Sequence, residues 1–260
     1  MYLNHNKSGC SIVRQAAAIA AVVIPLLFIG YSDSQAQLHL DVETGVVFSG
    51  YNDVQIPNET GTRISLSDEL ETEANFFSRA RVIYNINEKH TLAVLVAPLR
   101  LQAEGRVNKV VMFEGEEFPA NTLLKSTYRF DSYRLAYRYN FSPAKNLEAG
   151  LGFTAKIRDA SISLKANSQE AEKKNTGFVP LISFRVQWFF DDDFSLVLDG
   201  DALAAPQGRA EDVLLAVEYK VDETVRLKMG YRILEGGADA DEVYTFALLH
   251  YIVIGAIVRF

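Results

Sequence analysis

From residue 38 to residue 260, apolar and polar side chains alternate with a period of two in segment after segment, a pattern that restricts the chain to β-strands. Tyr133, Leu135, Tyr137, Tyr139 and Phe141 point one way, and Ser132, Arg134, Ala136, Arg138 and Asn140 the other. Leu147, Ala149, Leu151, Phe153, Ala155 and Ile157 oppose Glu148, Gly150, Gly152, Thr154, Lys156 and Arg158. Ile182, Phe184, Val186, Trp188 and Phe190 oppose Ser183, Arg185 and Gln187, while Val225, Leu227, Met229, Tyr231 and Ile233 oppose Arg226, Lys228, Gly230 and Arg232. Alternation by itself suits a soluble sandwich or a membrane barrel. The aromatic residues gathered at strand ends beside turns (Tyr137, Tyr139, Phe141; Trp188, Phe189, Phe190) favour the barrel, because such rings settle at the membrane–water interface.

Short turn signals fall at 87–90, 142–146, 191–193 and 221–224. They alternate with longer polar or Gly/Pro-containing stretches near 53–73, 104–122, 165–176, 204–212 and 235–242. That is the outer-membrane pattern of short periplasmic turns and longer extracellular loops. The breaks predict an all-β antiparallel transmembrane barrel of about ten strands, within a range of 8–12: 38–52, 74–87, 90–103, 123–141, 147–163, 177–190, 194–203, 212–221, 225–234 and 243–260. An even number puts both termini on the periplasmic side. Pro98 and Pro180 lie inside apolar strands and mark bulges or unpaired edges, since proline donates nothing to a ladder.

Residues 1–36 read as a cleaved secretory signal, leaving 37–260 as one barrel domain. Lys7 and Arg14 form a positive n-region, Ala16 to Ile29 is apolar, and Ser34-Gln35-Ala36 supplies small residues at a cleavage site. That apolar run falls short of the roughly 18 residues of a helical span. Loss of Lys7, Arg14 and Asp33 moves the formal net charge from −7 to −8. An acidic chain repels phosphate backbones, so nucleic acid is excluded as a partner. The single cysteine, Cys10, goes with the signal, which excludes disulfides and thiolate metal sites in the remainder.

The polar face of a barrel points into its lumen. The inward set is rich in charge: Arg79, Arg81, Arg134, Arg138, Glu148, Lys156, Arg158, Arg185, Asp199, Asp201, Glu218, Arg226, Lys228 and Arg232, ten cations to four carboxylates. Two readings stand: a salt-bridged plug, or a basic conduit for anionic solutes. No cofactor or metal is expected. The acidic segment Glu235 to Glu242 lacks the spacing of a calcium loop, and the acidic first loop (Asp68, Glu69, Glu71, Glu73) suits generic contact with cations that bridge lipopolysaccharide. Catalytic signals are sparse. No Gly-x-Ser-x-Gly occurs, and after residue 36 the histidines are His39, His90 and His250, of which only His250 comes near Asp199 or Asp201, across the barrel or through a loop.

The run Tyr251 to Phe260, with Ile252, Ile254, Ala256, Val258 and Phe260 on one face, resembles the aromatic-ended strand read by the barrel-assembly machinery of Gram-negative outer membranes. Tyr251 and Phe260 are its candidate assembly signal. The segments 97–105, 153–160, 201–209 and 231–239 together resemble a family of uncharacterised proteobacterial outer-membrane barrel proteins, and more distantly small barrels of the OmpA and OmpW kind. The resemblance implies location in the outer membrane, with lipid and lipopolysaccharide as surroundings, and brings no activity or known small-molecule ligand. Ten is also the strand number of the omptin proteases, whose catalytic acids and histidine Asp239, Asp241 and His250 match only loosely; those roles are not carried over. The expected function is a structural or ligand-binding barrel. The alternatives are a narrow anion-preferring channel and a hydrolase acting on lipid or peptide.

Overall fold

The computed structural model describes residues 37–206 and 208–260; the signal segment expected at 1–36 lies outside the described residues. Ten strands close into an antiparallel barrel. In chain order they are β1 (Gln37–Gln55), β2 (Asn75–Asn85), β3 (His90–Ala97, resuming as Arg100–Arg106), β4 (Leu123–Ala144), β5 (Leu147–Ala166), β6 (Gln169–Phe189), β7 (Phe194–Ala205), β8 (Gly208–Lys220), β9 (Val225–Ala240) and β10 (Val243–Arg259). Each strand pairs with its sequence neighbours, and β10 returns to pair with β1 from His39↔Arg259 to Gln55↔Tyr244, which closes the ring.

Several strands run far longer than the sequence pattern predicts. β4, β5 and β6 have 22, 20 and 21 residues, about twice what a tilted strand needs to cross a bilayer. The stretches expected as loops at 165–176, 204–212 and 235–242 are mostly ladder: β5 and β6 stay paired to Ala166↔Gln169, and β8 and β9 to Gly208↔Ala238. The reason is a change of solvent along the strand. On β4, β5 and β6 the apolar outer face ends at one level, where Tyr133, Ile157 and Phe178 pair; the next outward positions, Asp131, Asp159 and Thr176, also pair. Above that level water bathes the wall, and Arg129 donates to both carboxylate oxygens of Asp159 at 2.7 and 2.9 Å.

The inner face changes in the opposite sense. Toward the periplasm it is polar; toward the exterior it is apolar, with Val54, Leu101, Leu124, Leu164, Ala171 and Leu249 buried. Two long connections, 56–74 and 107–122, fold over this end. They insert Ile56, Ile64, Leu66, Leu70, Val111, Phe113 and Phe118 into the same core. The second connection carries a small hairpin, Val111–Phe113 with Glu116–Phe118, turned at Glu114 and Gly115, both of positive φ. The barrel therefore holds an apolar cap above a charged layer.

The two prolines sit at interruptions of pairing. Pro98 lies in the break of β3, where Leu99 N donates to the side chain of Asp131 at 3.2 Å instead of to a ladder. Pro180 faces Ala155 on β5, while β6 pairs with β7 only from Ile182 onward, so its missing donor leaves no gap. On the outside, Tyr139 and Phe141, and Trp188, Phe190, Phe194 and Tyr219, stack as aromatic groups at the periplasmic rim.

Candidate functional site: the charged lumen

Inward-pointing side chains of eight strands meet at the barrel centre in two tiers. In the upper tier Asp212 is the hub. Its Oδ2 accepts from Arg79 Nη2 at 2.9 Å and Arg134 Nη2 at 2.6 Å, and its Oδ1 accepts from Arg232 Nη1 at 2.6 Å. Arg134 Nη1 also donates to Asp201 Oδ2 at 2.7 Å, and Thr154 donates to the other Asp201 oxygen at 2.7 Å. Glu43 accepts from Arg232 at 2.8 Å and Lys228 at 2.7 Å, and Lys228 reaches Asp41 at 2.5 Å. Four cations (Arg79, Arg134, Lys228, Arg232) thus meet four carboxylates (Asp41, Glu43, Asp201, Asp212), all buried.

The lower tier is cationic. Asp199 is shared by Arg81 at 2.9 Å and by Arg138 and Arg185 at 3.3 Å each. Glu218 takes Arg185 at 3.1 Å and Arg226 at 3.8 Å, with Gln187 donating to it at 3.1 Å. Four cations share two carboxylates here, and exposure rises toward the periplasm, to 24% at Arg185 and 38% at Arg226. Small residues make the room. A Cβ on Gly150 would stand 2.5 Å from Arg138 Cδ, and one on Gly255 2.8 Å from Lys228 Cε. An ion pair out of water is held only when both partners are well hydrogen-bonded, which these shared contacts achieve.

Most of the residues singled out in the sequence meet here, with exceptions. Glu148 is exposed at the periplasmic rim and makes no ion pair among the described residues, because it lies at the first turn of β5, below the charged layer. Arg158 bonds Asn175, and Lys156 lies 4.8 Å from the Phe130 ring centroid; neither has a carboxylate partner among the described residues. Three of the six lumenal carboxylates were not in the sequence-derived set. Asp41 and Glu43 carry the period-two signal of β1 and were legible; Asp212 stands at the boundary between the loop expected at 204–212 and the strand expected at 212–221. With these three added and Glu148 removed, the imbalance of ten to four becomes ten to six.

His250 is not inside. It faces outward, stacked between Phe48 and Tyr231 at 5.2 and 5.9 Å, with its Nδ1 2.5 Å from Tyr231 OH. The pairing with Asp199 or Asp201 considered from the sequence is excluded by the parity of β10, which turns Tyr251 inward. Tyr251 is buried edge-on against Phe77 at 4.9 Å, while Phe260 is exposed on the same outer face as Ile252 and Ile254. Asp239 accepts from Asn58 at 2.7 Å, and no group of acidic or histidine side chains suited to a metal occurs among the described residues.

No family model and no curated protein matches the sequence. Among solved structures the chain is similar to the outer membrane protease OmpT from Escherichia coli, with a TM-score of 0.58 at 8% identity over 89% of this chain and 99% of that one. It also aligns with the transport unit of the autotransporter AIDA-I from Escherichia coli, at a TM-score of 0.48 and 7% identity over 94% of this chain and 97% of that one. Ail, the attachment invasion locus protein of Yersinia pestis, aligns at 0.35 and 9% identity over 85% and 98%. Such identities speak for the fold alone. Closed ring, lipid-facing apolar band and periplasmic aromatic rim make this chain a β-barrel protein of the Gram-negative outer membrane.

Proposed function

We propose that this protein is a non-conducting barrel with a structural or ligand-binding role, its lumen filled by ion pairs and its capped outer end offered to the cell exterior. The supporting observation is the stacking of two fillings: the neutral upper tier around Asp212, and above it the apolar cap of Leu70, Phe113 and Phe118. A hydrated ion would have to break the first and dehydrate in the second. The narrow anion channel is a second reading, supported by the cation excess of the lower tier. The hydrolase alternative needs His250 beside a carboxylate, and His250 is on the outer wall.

Single-channel recording of the purified protein in planar bilayers across a salt gradient separates the two. The expected result is silence. Stable anion-selective openings, reduced by Arg138→Gln or Arg185→Gln, would establish the channel. The cap gives a second test: Phe113→Ala with Phe118→Ala should expose 107–122 to protease in intact cells, while the barrel keeps its heat-dependent gel mobility. A cap as resistant as before would mean that these two rings do not hold it.

A further inference from the structure

Lys156 is the anomaly of the lumen: 4% exposed, with no carboxylate beside it, in a layer where every other buried cation has one. It pairs in register with Arg134, and its ammonium lies over one face of Phe130. Phe130 also forms part of a cleft lined with Phe77, Arg79, Pro98, Ser132, Arg134 and Tyr251, about large enough for one water-sized occupant. The upper tier beside it is balanced four to four, so Lys156 adds one uncompensated positive charge. A lone buried charge is expensive unless something neutralises it.

The cleft offers donors. Arg79 is 4% exposed, and its Nε donates to no acceptor; Glu43 Oε2 is 3.5 Å away without hydrogen-bond geometry. Ser132 Oγ accepts from Arg134 Nε at 3.0 Å, which leaves its own O–H free to donate. The wall is also thin there. The β2–β3 ladder runs only from Asn85↔Thr91 to Ala80↔Val96, and the cleft residues Phe77 and Arg79 on β2 and Ala97, Pro98 and Leu99 on β3 lie just beyond its end.

We propose that this cleft binds one small monovalent anion of the halide class, held by Arg79 Nε–H and the Ser132 hydroxyl and balanced by Lys156. One negative charge neutralises the layer, and the small size of the cleft excludes an organic acid. The site deepens the ion-pair reading of the lumen, and it does not depend on whether the barrel conducts.

The test uses protein purified from outer membranes and crystallised with sodium bromide, with data collected at the bromine absorption edge. The expected result is an anomalous peak within hydrogen-bond distance of Arg79 Nε and Ser132 Oγ. In solution, chloride should raise the unfolding midpoint by a few degrees over gluconate at equal ionic strength. Lys156→Met should remove that difference, and Ser132→Ala should weaken it if the lysine variant does not assemble. A cleft without bromide density, or equal stability in chloride and gluconate, overturns the proposal and leaves Lys156 uncharged in place of anion-balanced.

Discussion

Replacing Asp212 by Asn should destabilise the barrel by about 3–5 kcal/mol, the usual consequence of removing one partner from a buried ion pair. Asp212 is 2% exposed and takes three arginines from three strands, Arg79 on β2, Arg134 on β4 and Arg232 on β9. The amide is nearly the same size, so packing survives. What changes is charge and donor count: an NH₂ group now faces a guanidinium, and the upper tier falls from four carboxylates to three. Arg134 retains Asp201 and Arg232 retains Glu43, but Arg79 keeps only its loose contact with Glu43. Denaturant titration in detergent micelles, read by the shift between folded and unfolded gel bands, measures the loss. Glu148→Gln is the matched control; exposed and unpaired, it should move stability by no more than about 0.5 kcal/mol. Equal effects of the two substitutions would sink the hub assignment.

Gly45→Val should prevent closure. Gly45 sits on β1 opposite Val253 of β10, in the seam that joins the first and last strands. Its φ is +144°, a region that side-chain-bearing residues rarely adopt, and a Cβ there would lie 2.0 Å from the backbone oxygen of Ile252. That oxygen belongs to the ladder and cannot swing away as a side chain would. Backbone strain of ~1–3 kcal/mol adds to overpacking of similar size, so a loss on the order of 3 kcal/mol or more is expected. The readout is the absence of the fast-migrating folded band in unboiled membranes. Gly115 provides the contrast. Its φ is +82° but nothing lies within 4 Å of its Cβ position, at the exposed tip of the cap hairpin. Gly115→Ala should therefore cost only about 1 kcal/mol and leave assembly intact. A folded Gly45→Val barrel would mean that the β1–β10 seam tolerates a widened register.

How much of this was legible differs along each strand. On β5 the pattern from Leu147 to Ile157 announces its orientation, because lipid outside and polar lumen inside impose opposite demands on alternate residues. From Ser163 to Ala166 the demands invert: Lys165 faces water outside, and Leu164 and Ala166 enter the apolar core. A reading tuned to apolar-out sees the pattern stop there and places a loop. Asp212 was missed on β8 because it stands where the loop read at 204–212 meets the strand read from 212, so its inward parity was not followed. Glu148 was included by parity alone, since alternation gives a side but not a depth. His250 was legible and still misplaced: it shares the outward parity of Ile252 and Ile254, so period two already turned it away from Asp199.

Residue order by itself indicated about ten strands, their polarity and their two faces, because the period of a strand is local and the bilayer acts on each residue alike. Tertiary structure decided who meets whom. Arg134 on β4 finds Asp201 and Asp212 on β7 and β8, and Arg81 on β2 finds Asp199 on β7, contacts that cross the lumen between strands that never pair. Those distances are set by closure and stagger of the whole ring, as is the folding of 56–74 and 107–122 onto the apolar end. No local pattern encodes them.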